Sequence, residues 1–113
     1  MPVKRKFWDE QIATKFAGFV PNNGIDGFLG ITIDSFEPGQ LVASFKVLPE
    51  MVTMIGNIHG GCISAFCDHV LGVVLYPAMP KGSWAATTEF KINLLRPVSE
   101  GVCTASAEVI AMS

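Results

Sequence analysis

The sequence predicts an α+β fold in which one central helix is held against an antiparallel sheet. Residues 62–79 form the longest apolar run of the chain. On either side, apolar residues alternate with others, Leu41, Ala43, Phe45 and Val47 before the run and Ala86, Thr88, Phe90, Ile92 and Leu94 after it. That period of two marks strands with one face on a core. The chain has 113 residues, 50% hydrophobic and 16% charged, which suits one domain, 1–113, with a single core, and excludes a disordered chain. A net charge of −2 leaves no basic surplus for a phosphate backbone, so nucleic acid is not an expected partner.

Taken in order, Trp8, Ile12, Phe16 and Phe19 recur at helical spacing and predict a covering helix within 1–20. Pro21-Asn22-Asn23-Gly24 ends it with turn residues. The core is expected to span 28–113. In it, 28–36 and 40–48 read as strands joined by Glu37-Pro38-Gly39, a turn of hairpin length. Residues 49–58 connect to the central helix, which is apolar on every side and is therefore expected to be enclosed on most sides, ending at Pro77 and Pro80. Residues 84–95 read as a long strand whose even positions meet that helix, and 102–112 as a further strand with Ala105, Ala107, Val109 and Ala111 on one side.

The basic start Met1-Pro2-Val3-Lys4-Arg5-Lys6 is followed by Asp9 and Glu10 without an apolar stretch, so it does not read as a secretory signal, and a cytoplasmic location is expected. Cys62, Cys67 and Cys103 cannot all pair internally and have no metal-ligand spacing, so buried, reduced thiols and no metal site are expected. Asp68 and His69 near the middle of the apolar run argue against a membrane span, because a charge there costs roughly 2.5–3.5 kcal/mol on insertion. His69 reads as structural.

Two features bear on chemistry. Gly60 and Gly61 begin the central helix, where backbone N–H groups lack intrahelical partners and the helix dipole favours an oxygen carrying negative charge. The plain alternative is a tight turn into the helix. Asp68 lies in apolar sequence and must be paired, exposed at a cavity or protonated. Ser64 and Gly72, one turn away on either side, are small enough to leave a gap beside it; alternatively, Asp68 accepts a hydrogen bond from Ser64 or from backbone. Eight residues from Gly60 to Asp68 make roughly 12 Å of helix, whereas reacting atoms must approach to about 3–3.5 Å. A two-fold axis that sets two helices antiparallel would bring Gly60 of one copy to Asp68 of the other. A dimer with two shared sites is therefore expected.

The run His59-Gly60-Gly61-Cys62-Ile63-Ser64-Ala65-Phe66-Cys67-Asp68 resembles the HGGxxxxxxD motif of hotdog-fold acyl-CoA thioesterases, specifically the PaaI-like branch. Gly56 precedes it, and residues 87–97 resemble the strand that ends in the family's "LRP" turn. The resemblance implies a sheet wrapped around the helix, a homodimer or dimer of dimers, and hydrolysis of a coenzyme A thioester without a separate cofactor. Carried over, the Gly60 N–H, with Gly61, would polarise the thioester carbonyl. Asp68 of the other subunit would be general base or nucleophile, and His59 would shape the carbonyl or water site. Thr53 stands where the family often has Asn. Counting back from Pro97 makes Thr87 the strand's Ser/Thr, while strand alternation favours Thr88. Ser64 and Thr88 would border the substrate, and Lys91, Arg96 and Lys81 are candidates for the coenzyme phosphates, Arg96 foremost for its planar fork. The resemblance also places two further strands after the end of this sequence, between the two strands that follow the helix; without them the sheet is expected to carry unpaired edges. A catalytically impaired acyl-CoA-binding or oligomeric protein on the same fold is the alternative. Dehydratase or hydratase chemistry is disfavoured, because the Asp-x4-His pair and HFPxxP stretch of those relatives are missing.

Overall fold

The computed structural model describes residues 8–18 and 24–112. Its elements are α1 (Glu10–Gly18), α2 (Gly24–Leu29), β1 (Thr32–Glu37), β2 (Gln40–Lys46), α3 (Gly60–Val73) and β3 (Val102–Glu108). The three strands form an antiparallel sheet in the order β1-β2-β3. The expected α+β arrangement is therefore present, with α3 resting on one face of the sheet.

α1 begins where the Asp9 carboxylate accepts hydrogen bonds from the N–H groups of Gln11 and Ile12, at 3.0 and 3.2 Å, the usual satisfaction of orphan donors at a helix start. Ala13 is buried, and Phe16 packs on the core beside Phe36 and Tyr76. α1 is shorter than the sequence suggests. Phe7, Phe19 and Val20, and the turn at 21–23, lie outside the described residues.

The strand expected from residue 28 starts at Thr32 instead, because α2 occupies Gly24–Leu29. Gly30, with φ of 69°, closes this helix: its N–H donates to Gly27 O and the Ile31 N–H to Asp26 O. That paired return is a Schellman motif, which a residue with a Cβ makes at a cost. β1 then pairs with β2 through the Glu37–Gln40 turn, with a bulge at Asp34 between the paired residues Ile33 and Ser35. Alternation in β2 is as read: Leu41, Ala43, Phe45 and Val47 are buried and Val42 and Ser44 are half-buried. Phe45 meets Phe66 of α3 edge to face at 4.7 Å between ring centres, a geometry that adds about 0.5–1.5 kcal/mol beyond area burial.

α3 is less enclosed than its all-round apolarity predicts. Phe66, Val70 and Val73 are buried, but Leu71 remains 46% exposed. The helix ends at Val73, ahead of the prolines, and Pro77 lies in a short 3-10 turn, Tyr76–Ala78. By length and composition Gly60–Ala78 would pass for a membrane span; here its buried side chains rest on the sheet. The cysteines are free but half-buried rather than buried. Burial pushes the Cys67 thiol above its ordinary value, assisted by neighbouring Cys103, which burial shifts the same way.

The largest departure concerns 84–95. The segment forms no sheet pairing among the described residues, bends at Thr88, and leaves Trp84, Leu94 and Leu95 exposed. A groove of about 210 Å³ separates it from β3, lined by Cys67, Val70 and Leu71 of the helix, by Phe90 and Ile92, and by Ala107. A strand needs a neighbour about 4.7–4.9 Å away to satisfy its ladder, and no described part of this chain lies there. β3 itself ends at Glu108, short of the predicted 112, with Ala107 and Val109 buried and Ala111 exposed.

Candidate active site

The start of α3 is built by its own capping residue. His59 has extended backbone, and its Nδ1 accepts the Gly61 N–H at 2.8 Å. Nδ1 therefore carries no proton in this arrangement, and the ring's proton sits on Nε2, which points away from the cap. The Gly61 donor is thus consumed locally. The Gly60 N–H, by contrast, has no acceptor among the described residues. A Cβ at Gly60 would stand 2.5 Å from Leu94 Cδ1, so a larger residue there would have to turn the Leu94 side chain aside. Of the two glycines named from the sequence, only Gly60 presents a donor free for a ligand.

That donor borders a cavity of about 200 Å³ formed with Asn57, Ile63, Leu94 and Arg96. Arg96, a candidate phosphate partner from the sequence, lines this cavity. Thr53 does not line this cavity: its hydroxyl donates to Asn57 Oδ1 at 3.3 Å and accepts the Ile55 N–H at 3.2 Å, which ties the connector into a turn. Asn57 occupies the position facing Gly60, with its Nδ2 donating to Ile58 O at 3.2 Å. Asn57, two residues before His59, lies at this cavity where the sequence pattern pointed to Thr53.

Two turns further along α3, Asp68 is half-buried and its Oδ1 accepts a 2.5 Å hydrogen bond from Thr87 Oγ1. O–H···O⁻ bonds run about 2.5–2.7 Å and are roughly twice as strong as neutral ones. The Ser64 hydroxyl is turned the other way, donating to Gly60 O at 2.8 Å, so Asp68 receives no hydrogen bond from Ser64. The choice between Thr87 and Thr88 resolves through a bend in the backbone at Thr88. Before the bend, Ala85 and Thr87 approach the helix; after it, Phe90, Ile92 and Leu94 do. Strict alternation fails there because one residue changes phase. Thr88 itself is exposed, Lys91 is exposed at the rim of the groove facing β3, and Lys81 is exposed in the turn after the 3-10 segment.

Asp68 and Gly60 line different cavities: the two beside Asp68 include neither Gly60 nor Arg96. Within one chain, then, a carboxylate held by a strand hydroxyl and an unpaired helix N–H occupy separate chambers of the same helix face.

This fold and motif are those of a known class. The family model of the thioesterase superfamily matches residues 55–113, and the chain belongs to that family. Its fold is the hotdog fold. The structure superposes on a candidate thioesterase related to phenylacetic acid degradation from Ralstonia eutropha JMP134, with a TM-score of 0.80, 20% identity and coverage of 90% of this chain and 79% of that one. It also matches the PaaI protein of the E. coli phenylacetic acid degradation operon, with a TM-score of 0.72 and 27% identity over 81% of this chain and 65% of the other. A protein of Saccharolobus solfataricus named as a candidate esterase is 30% identical over 87 residues, which is 77% of this chain and 57% of that protein. The chain thus spans little more than half the length of this curated relative.

Proposed function

We propose that the protein hydrolyses a coenzyme A thioester to the free acid and coenzyme A, at a site assembled from two copies of the chain. The observation that carries the reading is the pairing of an unsatisfied Gly60 N–H with a carboxylate, Asp68, held by Thr87 in a different chamber. The Gly60 N–H donates to the thioester carbonyl oxygen and strengthens that bond as the oxygen becomes an oxyanion; one such donor contributes about 2.7–4 kcal/mol to the barrier. Asp68 of the partner subunit, facing the carbonyl carbon, removes a proton from water as the water attacks, or itself attacks to form an anhydride that water then opens. The C–S bond breaks as the tetrahedral centre collapses; in the general-base route the thiolate takes back the proton that Asp68 removed from water, and in the anhydride route it leaves as the thiolate and is protonated by solvent. His59, which caps the same helix start, shapes the carbonyl or water site. Arg96 and Lys91 serve the coenzyme phosphates.

This reading places the protein in the cytoplasm, as a homodimer or a dimer of dimers, with no further cofactor. The open groove beside 84–95 favours one rival, an acyl-CoA-binding protein that does not turn its ligand over, because Thr87 sits on the segment that lacks sheet partners. Turnover of a panel of acyl-CoA thioesters by the wild type and Asp68→Ala separates the two. The thioesterase reading expects a loss of about 10³-fold, within the usual range for a positioned acid or base; equal rates, or binding without turnover, would overturn it. Mixing Asp68→Ala with a Gly60→Ala variant tests the shared site. Each alone is inactive, and heterodimers recover one intact site, so mixtures regain activity only if the two residues act across subunits.

A further inference from the structure

Gly72 stands one turn beyond Asp68, in the last turn of α3, and leaves the helix face that bears Asp68 without a side chain there. A neighbour approaches Gly60 closely, but not Gly72, where a Cβ would meet no heavy atom within 4 Å. What lies beside Gly72 is space. Two cavities of about 200 and 330 Å³ open there, and Asp68, Gly72, Ala85 and Thr87 line both. The first is completed by Leu71, Leu75 and Phe90, the second by Phe16, Val73 and Tyr76. The four shared residues are short, so the partition between two largely apolar chambers is low, and lowest at the glycine.

Resting on the thioester reading above, we propose that Gly72 is a specificity-determining residue: it merges the two chambers into one acyl pocket that takes uncharged, apolar acyl groups of about six carbons or more. An acetyl group would leave most of this volume without contacts. Acyl groups ending in a carboxylate are disfavoured in the first chamber, where Asp68 and Glu89 place negative charge on the wall, while His69 borders the second.

The test uses the full chain with hexanoyl-CoA, cyclohexanecarbonyl-CoA and acetyl-CoA, comparing wild type, Gly72→Ala and Gly72→Leu. The ratio of kcat/KM for hexanoyl-CoA to that for acetyl-CoA is expected to fall about tenfold in Gly72→Ala, the effect of a methyl group in an apolar pocket, and further in Gly72→Leu. The cyclic substrate distinguishes a broad chamber, where it loses as much as hexanoyl-CoA, from a narrow channel, where the wild type already discriminates against it; both agree with the proposal. Gly72→Ala is also expected to melt a few degrees higher, since the methyl has room and alanine favours the helix, which separates lost selectivity from misfolding. A ratio within twofold of wild type in both variants, or a lower melting point for Gly72→Ala, would overturn the proposal. Should the wild type cleave none of the three, the thioester reading fails first. Binding then decides the pocket: hexanoyl-CoA bound at least tenfold more tightly than acetyl-CoA, with that preference lost in Gly72→Leu, upholds it, and equal affinities refute it.

Discussion

β2 and residues 84–95 have the same sequence pattern and opposite surroundings. Both alternate in sequence, and both set side chains against α3. β2 is paired on both sides, and its Leu41 and Ala43 are fully buried; 84–95 is unpaired among the described residues, and only Ala85, Phe90 and Ile92 are half-buried. Alternation therefore specifies neither a hydrogen-bonding neighbour nor, across the bend at Thr88, a single inward face. The paired region carries the buried core of the sheet, and the unpaired one carries Thr87, which donates to the Asp68 carboxylate.

Hydrogen exchange probes this contrast most strongly. Amides of β2 are expected to exchange only through global unfolding, at a cost of roughly 5–15 kcal/mol, while those of 84–95 exchange near the free-peptide rate in dilute protein. If protection of 84–95 grows with protein concentration, a second copy supplies the neighbour; full protection at every concentration would break the comparison.

Truncation gives the next largest difference. Phe45→Ala removes a buried ring and is expected to cost about 3–5 kcal/mol in chemical denaturation. Phe90→Ala, from a half-buried position at the groove, is expected to cost roughly 1 kcal/mol. Equal losses would mean that 84–95 belongs to the stable core after all.

Thr87→Val tests the functional side. It removes the donor to Asp68 with little change of shape, and hydrogen bonds to charged groups contribute about 1.5–3 kcal/mol. Turnover of an acyl-CoA is expected to fall about 10–100-fold with the melting point nearly unchanged, whereas Thr88→Val should leave both alone. The smallest effect is expected from the thiols. Cys67 and Cys103 lie above their ordinary value in the folded protein, so the folded state holds these protons more tightly than the unfolded one. Their contribution is complete below the unfolded thiol value and is lost as pH rises above it. Stability should thus decline on the alkaline side, and a Cys67→Ala, Cys103→Ala double variant should show a shallower decline.

Much of this was legible in the sequence. The hairpin, the inward face of β2 and the entry into α3 follow from local chemistry: a Pro-Gly turn, strict alternation and a glycine pair after a capping residue. Other features depend on information that no short window holds. α2 was missed because Phe28 and Leu29 are good strand residues, and only the return of the chain at Gly30 shows that they close a helix. The exposure of α3 was misjudged because apolarity measures what a surface needs, not what this chain can supply. Thr87 and Thr88 were indistinguishable by counting, since a single bend inverts the phase. The cap of His59 on Gly61 is a local geometric fact that residue types alone do not show, and it leaves one free glycine donor, not two.

The odd residue of β1, Asp34, has an effect beyond its own hairpin. A bulge twists the strand that bears it and spoils its outward ladder, and a carboxylate there discourages any newcomer. One margin of the sheet is blunted while the other stays receptive. Copies that associate edge to edge can add on a single side, so growth halts after a finite number of partners instead of running on into a fibre.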